Sequence, residues 1–363
     1  MEYAMLPQTR ESLSHILNHY SCFRDIRKQR GLPDQPMIVG ISGCQGSGKT
    51  TLCDTLTYLL KREPYHLRVV NFSLDDVYLT HEDQVKLSQR YPNNKLYQQR
   101  GQAGSHDLRL ATETLKSLIL NQTNVAIPVY DKSLFDGQGD RLPEKEWKHV
   151  SGPFDIVLLE GWMLGFKSLQ NQSLEAIYQS KQDKDTFKSL KFEDVNMLNE
   201  SLKQYEAELY PYFDIFIHLS PLDIQQVYQW RLEQEEYMKS TRGVTGLSKE
   251  AVKSFVDTYM PAYELYLPQL DKSLFDGLDR KQTEDYNKIN RHLKIVLDKE
   301  RKVVRSDILP DKTKELKINR QYLNWNFSNR RLLIVGCVLF IGFMGYRRQK
   351  IFDTVLHYYR KSK

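Results

Sequence analysis

Residues 43–50, GCQGSGKT, constrain the fold of this chain more than any other feature of its sequence. They match the phosphate-binding pattern G-x-x-x-x-G-K-[ST] at every position. An apolar run at residues 37–41 precedes them, and a segment with helical spacing at residues 51–60 follows them. The glycines let backbone N–H groups turn inward around a polyphosphate, and the following helix presents the positive end of its dipole. The sequence therefore predicts a strand, a nucleotide-binding loop and a helix, in that order.

The same loop predicts the cofactors. Lys49 is placed to reach the β- and γ-phosphates of a nucleoside triphosphate, and the Thr50 hydroxyl is placed to ligate Mg²⁺. We expect ATP and Mg²⁺ as cofactors, with nucleotide contacts from Gly43, Cys44, Gln45, Gly46, Ser47, Gly48, Lys49, Thr50 and Thr51. The alternative is a glycine-rich turn without a ligand, and the strand before the loop and the helix after it argue against that alternative.

Short apolar segments alternate with helical ones along the first 300 residues. Strands are predicted at residues 67–73, 154–160, 214–219 and 292–297, the last of the sheet. Helices are predicted at residues 12–27, 107–120, 225–239 and 249–263, the last one broken at Pro261. Residues 84–104 lack apolar periodicity, so a loop-rich region is expected there. This alternation is typical of a doubly wound, mainly parallel α/β sheet, here a P-loop NTPase fold with a helical lid and acceptor-site insertions.

Carboxylates follow two of the predicted strands. Asp75 and Asp76 come directly after one strand, and Glu160 ends another. In open α/β sheets, ligands bind at the carboxyl ends of the strands. Asp75 is the candidate base for an acceptor hydroxyl that attacks a γ-phosphoryl group. Glu160 is the candidate Mg²⁺ ligand together with Thr50. The alternatives are that one aspartate only caps a helix and that Glu160 only braces a loop.

Two polar loops carry basic residues that suit an anionic acceptor. One, at residues 100–107, contains Arg100, and the other, at residues 130–141, contains Lys132. Each loop is equally consistent with a solvated surface loop. Arg231 lies in a predicted helix before a glycine-containing turn, where a lid residue that clamps phosphates is expected. The alternative for Arg231 is a charged side chain that is merely solvated.

Further information comes from six segments: SLDDVYLT (73–80), RGQAGSHD (100–107), IPVYDKS with GQGDR (127–133 and 137–141), LLEGWMLGF (158–166), WRLEQE (230–235) and FVDTYMPAYELYLPQL (255–270). In combination they resemble the D-glycerate 3-kinases of the plant, fungal and cyanobacterial type. That family belongs to the P-loop group that also includes uridine kinase, phosphoribulokinase and bacterial pantothenate kinase. The resemblance covers residues 10–305.

The resemblance implies an enzyme that transfers the γ-phosphoryl group of MgATP to D-glycerate, a small hydroxy acid. It implies Asp75 as the catalytic base, Lys49 and Arg231 as further catalytic residues, and Glu160 as the acid near Mg²⁺. It implies an acceptor pocket formed by Asp76, Tyr78, Arg100, His106, Asp107, Tyr130, Lys132 and Arg141. Two alternatives stay open: a kinase for another small alcohol, pantothenate or a nucleoside, and a membrane-tethered ATP-binding protein without turnover.

Charge is distributed unevenly along the chain. Residues 301–363 hold 15 Lys and Arg against 4 Asp and Glu, so residues 1–300 carry a net charge of −5 although the whole chain carries +6. A folded body without a basic excess argues against nucleic acid as the main partner. Four cysteines without paired spacing indicate a reducing compartment, and residues 1–12 lack the pattern of a secretory signal. A cytoplasmic kinase domain is therefore expected.

We divide the chain into a kinase domain at 1–305, a basic linker at 306–331, an apolar segment at 332–346 and a basic tail at 347–363. The 15 uncharged residues of the apolar segment span about 22 Å as a helix, short of the ~30 Å hydrocarbon thickness. Flanking arginines and local bilayer thinning can close that gap. The interpretations are a C-terminal membrane anchor, an interfacial segment and a helix buried against the kinase domain. Membrane association is favoured because the run is apolar all round.

The heptapeptide DKSLFDG occurs twice, at residues 131–137 and 271–277. Only the first copy lies in a segment that resembles the kinase family. A second anion site and simple sequence drift are the two interpretations of the other copy, and drift is favoured. The sequence supplies no physical reason for it.

Overall fold

A computed structural model of the protein describes residues 5–242, 247–278, 286 and 289–311. The α-helices are α1 Pro7–Gln29, α2 Lys49–Leu60, α3 His81–Arg90, α4 Leu108–Ile119, α5 Asn171–Ser180, α6 Phe192–Glu208, α7 Gln226–Arg242, α8 Lys249–Asp257 and α9 Met260–Tyr266. The strands are β1 Met37–Gly43, β2 Val69–Ser73, β3 Val125–Ile127, β4 Tyr130–Asp131, β5 Asp140–Arg141, β6 Lys148–Val150, β7 Ile156–Gly161, β8 Ile215–Pro221, β9 His292–Leu297 and β10 Val303–Leu309. Short 3-10 helices lie at Leu74–Val77, Lys95–Tyr97, Glu144–Glu146, Tyr210–Tyr212 and Leu267–Asp271.

The central sheet has six strands in the order β10-β9-β8-β1-β7-β2. Strands β2, β7, β1, β8 and β9 pair in parallel, and β10 pairs antiparallel with β9 at the edge. Every residue of β1, β7, β8 and β9 is buried. Because successive side chains of a strand point to opposite faces, both faces of these strands are covered. The predicted α/β fold with a mainly parallel sheet is confirmed.

The sheet extends one strand further than the sequence predicts. Residues 292–297 are expected to form its last strand, but the chain turns back and adds β10. Strand β10 is largely exposed at the sheet edge, so it lacks the continuous apolar run that marks the inner strands. The compact unit ends at Asp311, past residue 305, where the sequence places the end of the kinase domain.

The loop-rich region expected at residues 84–104 begins inside a helix. Helix α3 starts after Thr80, whose hydroxyl accepts the N–H of Asp83. It buries only Gln84, so no apolar stripe reveals it in the sequence. A cap and local backbone bonding therefore form this helix without the periodicity on which the prediction depends.

The helix predicted at residues 249–263, with a break at Pro261, is two helices. Helix α8 ends at Asp257, and α9 begins at Met260 with Pro261 in its first turn. Proline is favoured in a first turn because the N–H that it lacks would have no partner there. The break therefore lies before the proline, which starts the second helix and does not interrupt the first.

The second DKSLFDG copy, residues 271–277, packs against β9. The N–H of Leu274 donates to Nδ1 of His292 at 3.1 Å. The guanidinium of Arg291 lies 3.6 Å from the centroid of the Phe275 ring. Leu274 and Phe275 are buried. This copy therefore contributes to the core beside the last parallel strand.

Residues 306–311 are described, whereas the rest of the predicted linker, the apolar segment at 332–346 and the basic tail lie outside the described residues. Within the described ranges, no helix combines the length and apolar character that crossing a membrane requires. The C-terminal apolar helix therefore stays a prediction.

Candidate active site

The loop between β1 and α2 has the conformation that its sequence predicts. Gly46 and Gly48 have φ angles of +74° and +89°, and Gly48 is the N-cap of α2. Left-handed backbone of this kind favours glycine. A Cβ atom on Gly46 would lie 2.8 Å from the carbonyl oxygen of Trp230, whereas one on Gly48 would meet nothing within 4 Å. The loop therefore rests directly on the backbone of α7.

We expect Gly46→Ala to destabilise the nucleotide-free protein more than Gly48→Ala does. Both substitutions place a Cβ on left-handed backbone, which costs about 1–2 kcal/mol. Gly46→Ala also overpacks the contact with Trp230, at about 1–3 kcal/mol more. Denaturant unfolding of the two variants measures the difference in free energy of unfolding. Equal losses would contradict the tight contact between the loop and α7.

Two backbone N–H groups of the loop are bonded within the protein. The N–H of Gln45 donates to the hydroxyl of Tyr263 on α9 at 3.1 Å, and the N–H of Ser47 donates to the carbonyl of Cys44 at 3.1 Å. The Ser47 hydroxyl is buried and has no hydrogen-bond partner among the described residues. Thr51 is exposed on α2. A phosphate contact from the Gln45 N–H would therefore compete with Tyr263.

Lys49, Thr50 and Glu160 meet at the start of α2. The Thr50 hydroxyl donates to Oε1 of Glu160 at 3.2 Å, and Nζ of Lys49 lies 3.8 Å from Oε2. Strands β1 and β7 pair with Ile41 opposite Glu160, which brings the carboxylate beside the loop. Glu160 is buried, and its Oε2 accepts no hydrogen bond from the described residues. A carboxylate oxygen in this state, next to a hydroxyl, fits a Mg²⁺ ion that is also bound by phosphates.

The turn after β2 presents Asp75 at the same edge of the sheet. The N–H of Asp75 donates to Oγ of Ser73, and the N–H of Ser73 donates to Oδ2 of Asp76, both at 3.2 Å. This reciprocal pair is a capping box and fixes the turn. Because Ser73 pairs with Glu160 across β2 and β7, the turn lies beside the phosphate loop.

Both carboxylate oxygens of Asp75 accept hydrogen bonds. Nζ of Lys132 donates to Oδ2 at 2.6 Å, and the Tyr78 hydroxyl donates to Oδ1 at 3.0 Å. Burial favours a higher pKa for Asp75, but the charges of Lys132 and Lys49 outweigh burial and hold that pKa well below its ordinary value. Asp75 is therefore ionised, and the lysine at its side weakens it as a proton acceptor.

Asp76 has the opposite electrostatic character. Burial, together with the neighbouring charge of Asp75, raises the pKa of Asp76 to about 6 from 3.8. The folded protein therefore binds this proton more tightly than the unfolded chain does. Stability that is present below pH 4 is lost as the pH rises through 6, because the ionised carboxylate is disfavoured in the fold.

We expect Asp76→Asn to remove this pH dependence. An asparagine oxygen still accepts the N–H of Ser73, but it carries no charge that burial would penalise. The melting temperature of the variant, relative to the wild type, should rise by about 2–4 °C between pH 4 and pH 7. Thermal unfolding at both pH values tests this, and parallel melting curves would contradict it.

His106 completes the cluster from the loop at 100–107. Its ring stacks on Tyr78 with the centroids 4.5 Å apart, and a 2.7 Å hydrogen bond joins its Nδ1 to the hydroxyl of Tyr205. Burial lowers the pKa of His106 to about 4, although the charge of Asp75 opposes the shift, so the ring is neutral near pH 7. Nε2 is buried without a hydrogen-bond partner in the described part of the chain. A polar group of a bound ligand would satisfy it.

The other predicted acceptor residues are engaged by protein atoms. Nη1 of Arg141 lies 3.2 Å from Oδ2 of Asp107, whose Oδ1 caps α4. Nη1 of Arg100 donates to the carbonyls of residues 137–138, and its guanidinium lies 5.6 Å from the ring centroid of Tyr130. The structure therefore brings these loops together through their arginines, while Lys132 is the cation at the carboxylate of the candidate base.

Arg231, the predicted lid residue, is bound within the α7–α8 pair. It forms an ion pair with Glu235 one turn along α7, and its guanidinium lies 4.8 Å from the ring centroid of Phe255 on α8. A role for Arg231 as a phosphate clamp therefore stays a prediction.

Three residues that hold the site together carry no local signal in the sequence. Tyr205 on α6 bonds His106, and Tyr263 on α9 bonds the phosphate loop. Arg301, between β9 and β10, donates from Nε to the carbonyl of Gly46 at 2.7 Å and pairs with Glu233 on α7. The hydrogen bonds of these three residues join partners that lie about 100 or more residues apart in the chain. Only the fold brings such partners together.

Comparison with known proteins finds similarity to kinases in sequence and in structure. Residues 38–177 match the phosphoribulokinase/uridine kinase family. The chloroplastic D-glycerate 3-kinase of Arabidopsis thaliana is 37% identical over 258 residues, which span 70% of this chain and 52% of that protein. An uncharacterized kinase of Schizosaccharomyces pombe is 38% identical over 279 residues, 76% of this chain and 93% of that protein. The structure of D-glycerate 3-kinase from Cryptococcus neoformans has a TM-score of 0.70 at 36% identity and covers 83% of this chain and 99% of that one.

These similarities extend over nearly the whole of two relatives and include the fold. The chain carries a phosphate-binding loop, a turn that presents the carboxylate of Asp75, and a strand that ends near Glu160, and phosphoryl transfer uses parts of this kind. It is an ATP-dependent P-loop kinase, a phosphotransferase that acts on an alcohol group, and it belongs to the D-glycerate 3-kinase family within the phosphoribulokinase and uridine kinase group.

Proposed function

We propose that this kinase phosphorylates the 3-hydroxyl group of D-glycerate, with MgATP as the donor and 3-phospho-D-glycerate as the product. The observation that carries the proposal is the 2.6 Å contact between Lys132 and Asp75. This contact supports the proposal because a cation that matches the carboxylate of a hydroxy acid lies beside Asp75, the residue proposed as the base for its hydroxyl. Two relatives named D-glycerate 3-kinase, at 36% and 37% identity, support the same acceptor.

The residues of the site divide the work of phosphoryl transfer. Asp75 takes the proton of the 3-hydroxyl as the oxygen attacks the γ-phosphorus, and Lys49 neutralises charge on the β- and γ-phosphates. Neutral His106 offers Nε2 to the acceptor. A bound Mg²⁺, held by Thr50 and Glu160, would supply further charge neutralisation on the transferring group.

Other alcohols and a protein without turnover are the alternatives. A cation beside the base favours an acid over a nucleoside, which has no carboxylate for Lys132 to bind. Pantothenate has one, so it belongs among the acceptors to be tested. The gathering of Lys49, Asp75 and Glu160 at one edge of the sheet supports turnover over simple ATP binding.

The deciding experiment is an assay of ADP release by the full chain, with D-glycerate, L-glycerate, glycerol, pantothenate and uridine as acceptors. We expect release with D-glycerate, and phosphorus NMR should identify 3-phosphoglycerate as the product. Release with another alcohol and none with D-glycerate would overturn the acceptor assignment. No release with any acceptor would favour a protein that only binds ATP.

Membrane association through residues 332–346 is a separate proposal that rests on the sequence alone. Fractionation of cells that produce the full chain tests it against a chain that ends at residue 311. Recovery of both proteins without detergent would contradict the proposal.

A further inference from the structure

The loop at residues 131–139, here called the Lys132 loop, is a hairpin tip that carries a lysine onto the candidate base. Tyr130 pairs with Arg141 and Asp131 with Asp140 in the two short strands that bracket it. Residues 132–138 are all exposed, and the side chain of Lys132 retains 55% of its accessible surface while it contacts Asp75. The ion pair therefore holds the exposed lysine side chain at the site, while the stacking of Phe135 on His81 and hydrogen bonds from Arg100 hold the rest of the loop.

The second copy of the same seven residues shows what the sequence DKSLFDG does when it is packed. At residues 271–277, Ser273, Leu274 and Phe275 are buried, and Lys272 is exposed. In the first copy the equivalent apolar residues are exposed, at 37% for Leu134 and 53% for Phe135. The heptapeptide therefore does not by itself require the geometry of the Lys132 loop, and the ion pair with Asp75 is particular to the first copy.

Both carboxylate oxygens of Asp75, the proposed base, already accept hydrogen bonds from the protein. Oδ2 of Asp75 accepts Lys132 and Oδ1 accepts Tyr78, so an incoming hydroxyl must displace one donor before it can pass its proton to the carboxylate. Tyr78 is buried beneath His106, whereas Lys132 is on an exposed loop. Lys132 is therefore the donor that can leave at the lower cost.

We propose that Lys132 gates the base: it binds Asp75 when the acceptor is absent, and it transfers to the carboxylate of the acceptor when the acceptor binds. This inference rests on the proposed function, because it needs an acceptor with a carboxylate. The exchange conserves one ion pair, so it costs little, and it frees Oδ2 of Asp75 at the moment when an acceptor hydroxyl arrives. A neutral alcohol cannot drive the exchange.

The gate has a chemical purpose in a kinase. With the acceptor bound, its hydroxyl oxygen forms the new bond to the γ-phosphorus, the bond to the bridging oxygen of ADP breaks, and the proton passes to Asp75. With no acceptor, water can attack in the same way and give ADP, phosphate and a proton on Asp75. A lysine on Asp75 suppresses this wasteful hydrolysis, because it blocks one oxygen and weakens the carboxylate as a base.

The neighbouring arginines are poorly placed to do the same. Arg141 is paired with Asp107, and Arg100 is bonded to carbonyls of the Lys132 loop itself. Both therefore stabilise the surroundings of the gate. Lys132 is a positioning residue for the base in the free enzyme and a binding residue in the acceptor complex.

The test measures ATP hydrolysis by the full chain without an acceptor and with D-lactate. D-lactate has the carboxylate and 2-hydroxyl of D-glycerate, but a methyl group replaces the hydroxymethyl group that carries the accepting hydroxyl. Water can therefore take the position of the missing hydroxyl. We expect D-lactate to raise hydrolysis by the wild type about tenfold, a part of the 10²–10⁴ that a general base supplies. The neutral analogue D-lactamide should have no effect.

Three variants complete the experiment. Lys132→Met should hydrolyse ATP about tenfold faster than the wild type without any acceptor. It should show no further response to D-lactate and have a raised KM for the acceptor. Lys132→Arg should keep hydrolysis low. Lys272→Met is the matched control in the second heptapeptide and should behave as the wild type does.

Hydrolysis by Lys132→Met that stays at or below the wild-type rate overturns the gate, provided that its melting temperature equals that of Lys272→Met. Stimulation of the wild type by D-lactamide as strong as that by D-lactate overturns it as well. Raised hydrolysis in Lys132→Met together with no transfer to D-glycerate by the wild type would keep the gate and overturn only the proposed acceptor.

Discussion

Asp75→Asn is expected to lower kcat by about 10² to 10⁴ while the affinity for ATP stays nearly unchanged. An asparagine has the size of the aspartate, and its oxygen can still accept the Tyr78 hydroxyl that lies 3.0 Å from Oδ1. Its amide cannot take the proton of the acceptor. Steady-state kinetics with D-glycerate measures kcat, and calorimetric titration with a non-hydrolysable ATP analogue measures affinity.

Asp136→Asn is the control for this substitution. Asp136 is exposed in the Lys132 loop and has a φ angle of +54°, a conformation that asparagine adopts readily. Both constants should keep their wild-type values in this variant. A loss of ATP affinity in Asp75→Asn would show that Asp75 holds the nucleotide or its metal and is not the base.

Lys49→Met is the second substitution with a large expected effect, a fall in kcat of about 10² to 10³. The ammonium group neutralises charge that builds up on the phosphates as the γ-phosphoryl group leaves, and methionine fills the space without that charge. It also removes the cation 3.8 Å from Oε2 of Glu160, which leaves that carboxylate with the hydrogen bond that Oε1 accepts from the Thr50 hydroxyl. Pre-steady-state and steady-state kinetics separate the chemical step from binding.

Lys61→Met, at the exposed C-terminal end of the same helix, is the matched control and should change neither kcat nor the KM for ATP. A rise in the KM for ATP with kcat preserved would contradict the assignment for Lys49→Met. It would mean that Lys49 binds ATP equally in the ground state and in the transition state.

The sequence predicts those parts of the site whose functional residues directly follow a recognisable apolar run in the chain. The loop at Gly43–Thr50 and the carboxylates at Asp75 and Glu160 each follow directly from an apolar run. In a parallel sheet the carboxyl ends of such runs lie at one edge. The resemblance to the kinase family follows from six short segments, two of which contain these carboxylates, because each segment carries a local pattern.

Prediction fails where a structure depends on weak local signals or on distant partners. Helix α3 buries one residue, and β10 lies exposed at the edge, so neither shows the periodicity that marks buried elements. The break between α8 and α9 is predicted at Pro261 but lies just before it, because proline fits the first turn of α9.

The sequence by itself predicts a loop that binds a nucleoside triphosphate, and it puts a candidate base, Asp75, and a candidate metal ligand, Glu160, at the ends of two apolar runs. Only the tertiary structure decides that Lys132 contacts Asp75, that burial lowers the pKa of His106, and that Arg301 supports the phosphate loop. The reason is physical: backbone patterns are set by neighbours in the chain. The state of a buried charge is set by whichever distant groups the fold brings within a few ångströms of it.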